Sequence, residues 1–252
     1  MLFKKGRIED KDVIYVSIKE ALSSEGCPIC RLLRKLEVEA IENLLYEHVL
    51  DPQVRSELRR NLGFCNYHSW LLVDYVLKNP WVGQLGVSII YEDLLSTYLS
   101  KLGNPNAFKE RTCELCRRVK YFEETYVNAF AKYLKTLNLM SEYRKSPSVL
   151  CDKHLRQVIN LLPKDVSTEL INVQKAKLES ILNKLRSFIR KQDYRVKEEV
   201  STEEAKAWRV AVEVLVGGNT SANAVLSKYS VDKDVRNYKH DVGGALKRLF
   251  HR

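Results

Sequence analysis

Two short motifs, Cys27-Pro28-Ile29-Cys30 and Cys65-Asn66-Tyr67-His68, decide how this chain folds, because each of them occurs twice. The second copies are Cys113-Glu114-Leu115-Cys116 and Cys151-Asp152-Lys153-His154. Each cysteine and histidine of the first two motifs has its counterpart 86 positions later, and 35 positions separate the CxxC from the CxxH motif in both copies. The repeat accounts for all six cysteines. We predict from it two metal sites of the Cys3His type.

The residue types and their spacing suit a closed tetrahedral site with no open coordination position. Soft thiolates and an imidazole hold zinc or an iron–sulfur cluster, whereas carboxylates suit harder ions. Residues three apart share one face of a helical turn, so each motif is expected to open a helix, where the positive end of the dipole favours thiolates. Pro28 fits such a helix start.

Local closure of each repeat is the favoured pairing of the motifs, because it costs less loop entropy. It places Cys27, Cys30, Cys65 and His68 in one metal site, and the four equivalent residues in the other. Those equivalents are Cys113, Cys116, Cys151 and His154. A crossed pairing, with the CxxC of one repeat and the CxxH of the other, stays open as the less favoured alternative.

Two Zn²⁺ ions are the favoured cofactors, because a closed Cys3His set is common in structural zinc sites. Two [4Fe–4S] clusters are the alternative, since histidine-ligated clusters also exist. Iron–sulfur clusters would make the chain an electron carrier or a redox sensor.

Structural disulfides and a redox dithiol are two other uses of cysteine pairs. Disulfides are disfavoured because Met1 is followed by charged residues rather than by the apolar segment of a secretory signal, which predicts a cytoplasmic protein. Cys27 and Cys30 resemble a thioredoxin-type dithiol, and a dithiol oxidoreductase is a second alternative. The repeated CxxH motif has no part in that chemistry, however, and no βαβ pattern surrounds it.

The composition is that of an ordinary globular protein, with 45% hydrophobic and 29% charged residues in 252. The chain has only 10 glycines and 6 prolines, and this small number disfavours a turn-rich all-β fold. No apolar run approaches the ~20 residues of a membrane helix. The chain has no nucleophile elbow, phosphate loop or dinucleotide fingerprint, and no catalytic constellation, so we expect a binding or regulatory protein rather than an enzyme.

The apolar periodicity predicts an all-α protein of two duplicated helical units, each held by a Cys3His site, followed by a C-terminal helical extension. The predicted units are residues 1–105, 106–192 and 193–252. Val13–Val16 is expected to be extended, with helix beginning at Ile18. Asp51-Pro52 and Thr202 are expected to start helices, and Gly217 to end one.

The charged side chains divide into two groups. The acidic residues of the two long helices are interpreted as solvated charges; they are Glu37, Glu39, Glu42, Glu123 and Glu124. The formal charge of +10 includes a basic tail with interleaved Tyr238 and Phe250. Its cations are Lys233, Arg236, Lys239, Lys247, Arg248 and Arg252. Such a tail permits binding to nucleic acid, the favoured partner class, or to an acidic protein. One apolar side is predicted for the last helix; it comprises Trp208, Val212, Leu215 and Val216.

The segment from Val13 to Leu22, the Cys-Pro-Ile-Cys motif and the run Gly63-Phe64-Cys65-Asn66-Tyr67-His68 resemble an uncharacterised family of bacterial and archaeal proteins. Residues 193–195 and the helix 208–217 also look like the C-terminal part of that family. The resemblance spans about residues 13–217. It implies an intracellular prokaryotic protein and supplies no activity.

Overall fold

The fold is described from a computed structural model, in which residues 13–104, 106–107 and 111–223 are placed. Within these residues the chain forms ten α-helices and no β-strand, so the predicted all-α class is confirmed. None of the helices in this part of the chain is both long and apolar enough to cross a lipid bilayer. The basic tail residues lie outside the described ranges.

The helices follow one another with short connections. The five of the first half are α1 (Val13–Leu22), α2 (Pro28–Asn43), α3 (Pro52–Asn61), α4 (Asn66–Lys78) and α5 (Leu85–Ser100). A π-helical turn, Leu44–His48, extends α2, and a 3₁₀ turn, Pro80–Val82, follows α4. The remaining five are α6 (Glu114–Thr136), α7 (Leu139–Lys145), α8 (Asp152–Ile159), α9 (Lys164–Lys191) and α10 (Thr202–Val216).

Helix ends are set by local chemistry that the sequence reveals. Asp51 accepts hydrogen bonds from the amides of Gln53 and Val54, which are otherwise unpaired in the first turn of α3. Ser201 and Glu204 form a reciprocal capping box at the start of α10. The extended conformation predicted for Val13–Val16 is wrong. These residues are helical because α1 packs on α2 and α6 and buries Ile18 completely, and this packing outweighs β-propensity.

Two hydrophobic clusters form the core, and each draws on both repeats. The first includes Ile18 and Leu33 from the first half, with Phe130, Tyr143 and Leu170 from the second. The second lies among α2, α3, α4 and α5 and also contains Leu115 of α6. Helices α2 and α6 pack against each other and contribute to both clusters. The division into units at residues 105 and 192 stays a prediction.

Helix α10 packs against α9 and α8 by a different side from the one predicted to be apolar. Its buried residues are Ala207 and Val214, whereas Trp208 and Leu215 are 57% and 74% exposed. After α10 the chain turns at Gly217, whose φ of +83° favours glycine, and residues 217–223 run back to the start of α2. We call residues 217–223 the covering segment.

Candidate metal centres

The eight predicted ligand residues come together in two sets of four, and the pairing is crossed. Site 1 consists of Cys27, Cys30, Cys151 and His154. Site 2 consists of Cys65, His68, Cys113 and Cys116. In each set the four ligand atoms all lie within 4.8 Å of one another. The favoured local pairing is therefore wrong, and the alternative of pairing across the repeats is the one observed.

The entropy that favoured local closure is too small to decide the pairing. Cys30 and Cys151 are 121 residues apart and Cys65 and Cys116 are 51 apart, against 35 for either local pair. Because loop-closure cost grows with the logarithm of length, the crossing adds only about 1 kcal/mol for site 1 and less for site 2. The contact of α2 with α6 buries side chains such as Leu33 and Phe130, each worth about 1.5–3 kcal/mol, which outweighs that cost.

In site 1 one imidazole nitrogen lies at nearly the same distance from all three sulfurs. Nδ1 of His154 is 3.4 Å from Sγ of Cys27, 3.3 Å from that of Cys30 and 3.2 Å from that of Cys151. The sulfurs of Cys30 and Cys151 are 3.8 Å apart. All four residues are buried.

Site 2 repeats this arrangement nearer to the surface. Nδ1 of His68 is 3.3 Å from Sγ of Cys65, 3.4 Å from that of Cys113 and 3.5 Å from that of Cys116. The sulfurs of Cys65 and Cys116 are 3.5 Å apart. His68 is buried, whereas the three cysteines are partly exposed.

Each motif opens a helix, as predicted from its spacing. Cys27, Cys65, Cys113 and Cys151 are the N-cap residues of α2, α4, α6 and α8, and all four have extended backbone dihedrals. None of these side chains caps its own helix, so the sulfurs are directed instead at the shared centre. Two helix N-termini therefore meet at each site, those of α2 and α8 at site 1 and those of α4 and α6 at site 2. The free amides and the positive dipole ends there favour the ionised form of the thiol groups.

The interpretation of Glu37 and Glu123 as solvated charges is wrong. Glu37 of α2 is fully buried, and its Oε1 lies 3.3 Å from Nε2 of His68. Glu123 of α6 is 7% exposed and its Oε1 pairs with Nε2 of His154 at 3.2 Å. These carboxylates orient the imidazoles, leaving Nδ1 directed at the sulfurs. The 86-residue offset relates Glu37 to Glu123 and was the signal that could have identified them.

The repeat crosses at this level too, because each long helix serves both sites. Helix α2 gives its CxxC to site 1 and Glu37 to site 2, while α6 gives its CxxC to site 2 and Glu123 to site 1. Two further equivalent residues, Tyr67 and Lys153, contact these carboxylates at 3.3 Å and 2.6 Å. They also donate hydrogen bonds to backbone carbonyls of Asn219 and Ala222. Both sites are therefore linked to the covering segment.

The covering segment lies directly against Cys30. The amide of Gly218 donates a hydrogen bond to Sγ of Cys30 at 3.3 Å, and Nδ2 of Asn223 donates another at 3.2 Å. Glu213, at the end of α10, accepts a hydrogen bond from the amide of Cys27 at 2.8 Å. The amide of Ser221 donates to Glu37 at 2.7 Å. The sequence motifs gave no signal for these contacts, which cross more than 180 residues.

The thiol groups of site 1 cannot all ionise without a cation. Burial raises the pKa of Cys27 well above its usual range, and hydrogen bonds from Cys151 and Cys30 act in the same direction. Hydrogen bonds from Cys27 and Cys30 in turn lower the pKa of Cys151 to about 4. Because burial opposes ionisation of Cys27 in the absence of a counter-charge, a divalent cation is the group that would allow three thiolates here.

Site 2 shows the same competition. Hydrogen bonds from Cys116 and Cys65 lower the pKa of Cys113, whereas those from Cys113 and Cys65 raise the pKa of Cys116. Burial lowers the pKa of His68, but hydrogen bonds with Cys113, Cys65 and Glu37 outweigh burial and raise that pKa to about 11. The set therefore favours positive charge at its centre, which a bound metal ion would supply. The donor atoms present fit a thiophilic cation at both sites.

Comparison with known proteins agrees with the resemblance seen in the sequence. Residues 10–105 match the model of a family described as "Family of unknown function (DUF6062)". The chain is also similar to the "Uncharacterized 23.9 kDa protein in xynA 3'region" of Caldicellulosiruptor sp. (strain Rt8B.4). The identity is 27% over 206 residues, which cover 79% of this chain and 98% of the relative. No solved structure gives a significant match. The resemblance to an uncharacterised domain family is thus confirmed.

The region that matches the family model contains half of each metal site. It includes the first CxxC, which belongs to site 1, and the first CxxH, which belongs to site 2. The partners of both motifs lie between residues 113 and 154. The three cysteines and the histidine within residues 10–105 are therefore divided between the two candidate sites and complete neither of them.

Proposed function

We propose that this protein is a non-catalytic, zinc-binding helical scaffold with a binding or regulatory role. Its two Cys3His sites join the first and second repeats. The observation that carries the proposal is the convergence of eight motif residues, from four helix N-termini, into two compact sets of ligand atoms. Structural zinc sites are closed in this way, with four protein ligands and no position left for substrate.

The spacing of the ligand atoms supports zinc over a cluster. A tetrahedral zinc ion, with Zn–S of about 2.3 Å and Zn–N of about 2.0 Å, spaces sulfurs about 3.8 Å apart and sulfur and nitrogen about 3.5 Å apart. One sulfur–sulfur separation in each site is 3.8 Å and 3.5 Å, the sulfur–nitrogen separations are 3.2–3.5 Å, and all ligand atoms of a site lie within 4.8 Å of one another. In a [4Fe–4S] cluster each ligand binds a different iron, which spreads the ligand atoms to roughly 6 Å.

A dithiol oxidoreductase is less well supported. Cys27 and Cys30 are each 1% exposed, and a redox dithiol must reach its substrate's disulfide. Their sulfurs are instead directed at His154 and Cys151.

The zinc ions would contribute to folding itself, since apparent binding energies of structural sites are on the order of 10 kcal/mol.

Metal analysis of the full-length protein tests this proposal. Purified anaerobically, it is expected to be colourless and to contain about two zinc ions per chain. A brown protein with iron, sulfide and absorbance near ~400 nm would instead indicate clusters. A folded protein that contains neither metal contradicts the proposal.

Paired substitutions test which motifs share a metal ion. Combining Cys27→Ser with His154→Ala affects only site 1, so the double variant should keep one zinc ion per chain. Combining Cys27→Ser with His68→Ala affects both sites, and that variant should keep none. The two variants carry the same kinds of substitution, so each is the control for the other. Local pairing predicts the reverse outcome.

A further inference from the structure

The two metal sites are equivalent by sequence but differ in how their sulfurs are protected. All four ligand residues of site 1 are buried, whereas Cys65, Cys113 and Cys116 of site 2 are partly exposed. Reactive cysteines are those whose thiolates reach solvent, and buried structural cysteines are inert. Exposure therefore separates two sites that the repeat would make alike.

Hydrogen bonding increases this difference. Cys30 accepts two N–H bonds from the covering segment, which spread the negative charge of its thiolate. A cavity of about 240 Å³ borders Cys30, but the residue is 1% exposed and its sulfur is held by these donors. The equivalent residue of site 2 is Cys116, whose hydrogen-bond partners among the described residues, Cys65, Cys113 and His68, all belong to the site itself.

A cavity also approaches site 2. It has a volume of about 220 Å³ and lies between α2, α3 and the start of α6. Its wall includes Phe64 and Thr112, which immediately precede Cys65 and Cys113 in the chain, as well as Glu114. The cavity reaches the chain neighbours of these cysteines, and the partial exposure of the cysteines themselves is what would admit a molecule as small as a peroxide.

We propose that site 2 is an oxidant-sensitive metal site in which Cys65 and Cys116 are oxidised to a disulfide by a peroxide, with loss of its metal ion. This inference rests on the proposed zinc function. Site 1 loses its ion much more slowly under the same conditions. The two sulfurs lie 3.5 Å apart, against 3.8 Å for Cys30 and Cys151 of site 1, and they come from the start of α4 and the first turn of α6.

The chemistry balances with hydrogen peroxide as the only oxidant. Sγ of Cys65 attacks one peroxide oxygen, so that an S–O bond forms and the O–O bond breaks. Hydroxide is the leaving group, and Cys65 becomes a sulfenic acid. Sγ of Cys116 then attacks the sulfenic sulfur; the S–S bond forms and a second hydroxide leaves. Two protons from solvent complete two waters, and two electrons have passed from the thiolates to the peroxide.

Loss of the metal follows from the ligand count. Oxidation leaves only Cys113 and His68 at site 2, which are too few for a closed four-ligand site. The new disulfide joins the start of α4 to the first turn of α6, the same two elements that the metal ion joined. Oxidation thus exchanges a metal link for a covalent link, and the helices stay tethered.

Zinc release from the loaded full-length protein tests this inference. Hydrogen peroxide is added, free zinc is followed with a chromogenic chelator, and the linked peptides are identified by mass spectrometry. We expect one zinc ion per chain to appear in a fast phase that coincides with the Cys65–Cys116 link. The second should appear at least about tenfold more slowly, as buried thiolates react poorly. Equal rates, or a fast phase that maps to site 1 or to a Cys113–Cys116 link, would overturn it.

A pair of variants assigns the phases. Asn223→Ala removes one of the two donors to Cys30 and should accelerate only the slow phase, by about tenfold. Asn219→Ala is the matched control, because Asn219 holds Tyr67 through its backbone carbonyl, and both phases should be unchanged. An effect of Asn223→Ala on the fast phase contradicts the assignment. The zinc content before oxidant is added tests the proposed function separately: two ions released at equal rates would overturn only the present inference.

Discussion

Glu37 offers a direct test of the crossed arrangement, because this residue of α2 contacts a ligand of site 2. Its carboxylate is fully buried, accepts a hydrogen bond from the amide of Ser221 at 2.7 Å and lies 3.3 Å from Nε2 of His68. Replacing Glu37 with alanine leaves the buried amide of Ser221 without its acceptor and removes the carboxylate that faces the imidazole of His68. The hydroxyl of Tyr67 lies 3.3 Å from the other carboxylate oxygen, and this contact is lost as well.

The magnitude follows from these contacts. Each buried donor left unsatisfied costs about 1–3 kcal/mol, and relief from burying a carboxylate offsets part of the total. We expect Glu37→Ala to lower the free energy of unfolding by about 2–4 kcal/mol, which is roughly 4–16 °C in Tm for a chain of this size. Zinc affinity at site 2 should fall by about 10–100-fold, while that of site 1 changes little. Glu37→Gln keeps an acceptor for Ser221 and should lose about half as much stability.

Thermal unfolding and zinc-competition titration measure these effects, with free zinc held constant because ligand binding shifts apparent stability. The matched control is Glu39→Ala, two residues along the same helix. Glu39 is exposed and lies 3.8 Å from Lys35, so its loss should change stability by less than about 0.5 kcal/mol. If Glu37→Ala behaves like Glu39→Ala, the carboxylate does not hold the imidazole and the reasoning is refuted.

Three further predictions concern the core, pH and the basic tail. Phe130 is fully buried in the first cluster and packs edge-on against Tyr143, so Phe130→Ala should cost about 3–5 kcal/mol in denaturant unfolding, whereas the exposed Tyr121→Ala on the same helix should cost far less. Burial raises the pKa of Asp93, but hydrogen bonds from Arg55 and Arg59 outweigh it and leave the pKa lowered. Its contribution to stability is therefore present above the unfolded pKa of about 4 and is lost as the pH falls below it; Asp93→Asn should flatten the stability profile in that acidic window, and an unchanged profile would contradict this. Deletion of residues 224–252 should weaken binding to a short DNA or RNA duplex in a mobility-shift titration and reduce the salt dependence of that binding; equal binding with and without these residues, or none at low salt, would reject nucleic acid as the partner.

Some of the architecture was readable from the chain because it depends on local chemistry. The 86-residue repeat identified all eight candidate ligands, since a repeated pair of CxxC and CxxH motifs is typical of a metal site. Helices α3 and α10 begin at Pro52 and Thr202, as predicted, because capping involves only neighbouring residues; the capping role of Ser201 itself was not predicted. The all-α class followed from apolar spacing for the same reason.

The tertiary structure alone decided which CxxC motif shares a site with which CxxH motif. The difference in loop-closure cost between local and crossed pairing is about 1 kcal/mol, so the packing of α2 on α6 determines it, and that packing is not encoded at any fixed spacing. The same holds for the contact of Asn223 with Cys30, 193 residues away, and for the exposure of Trp208 on a helix whose apolar side was expected to be buried. The eight candidate ligands could be identified from the sequence alone, because ligand chemistry is carried by single residues. The fold fixed their partners, because pairing depends on the burial of whole helices.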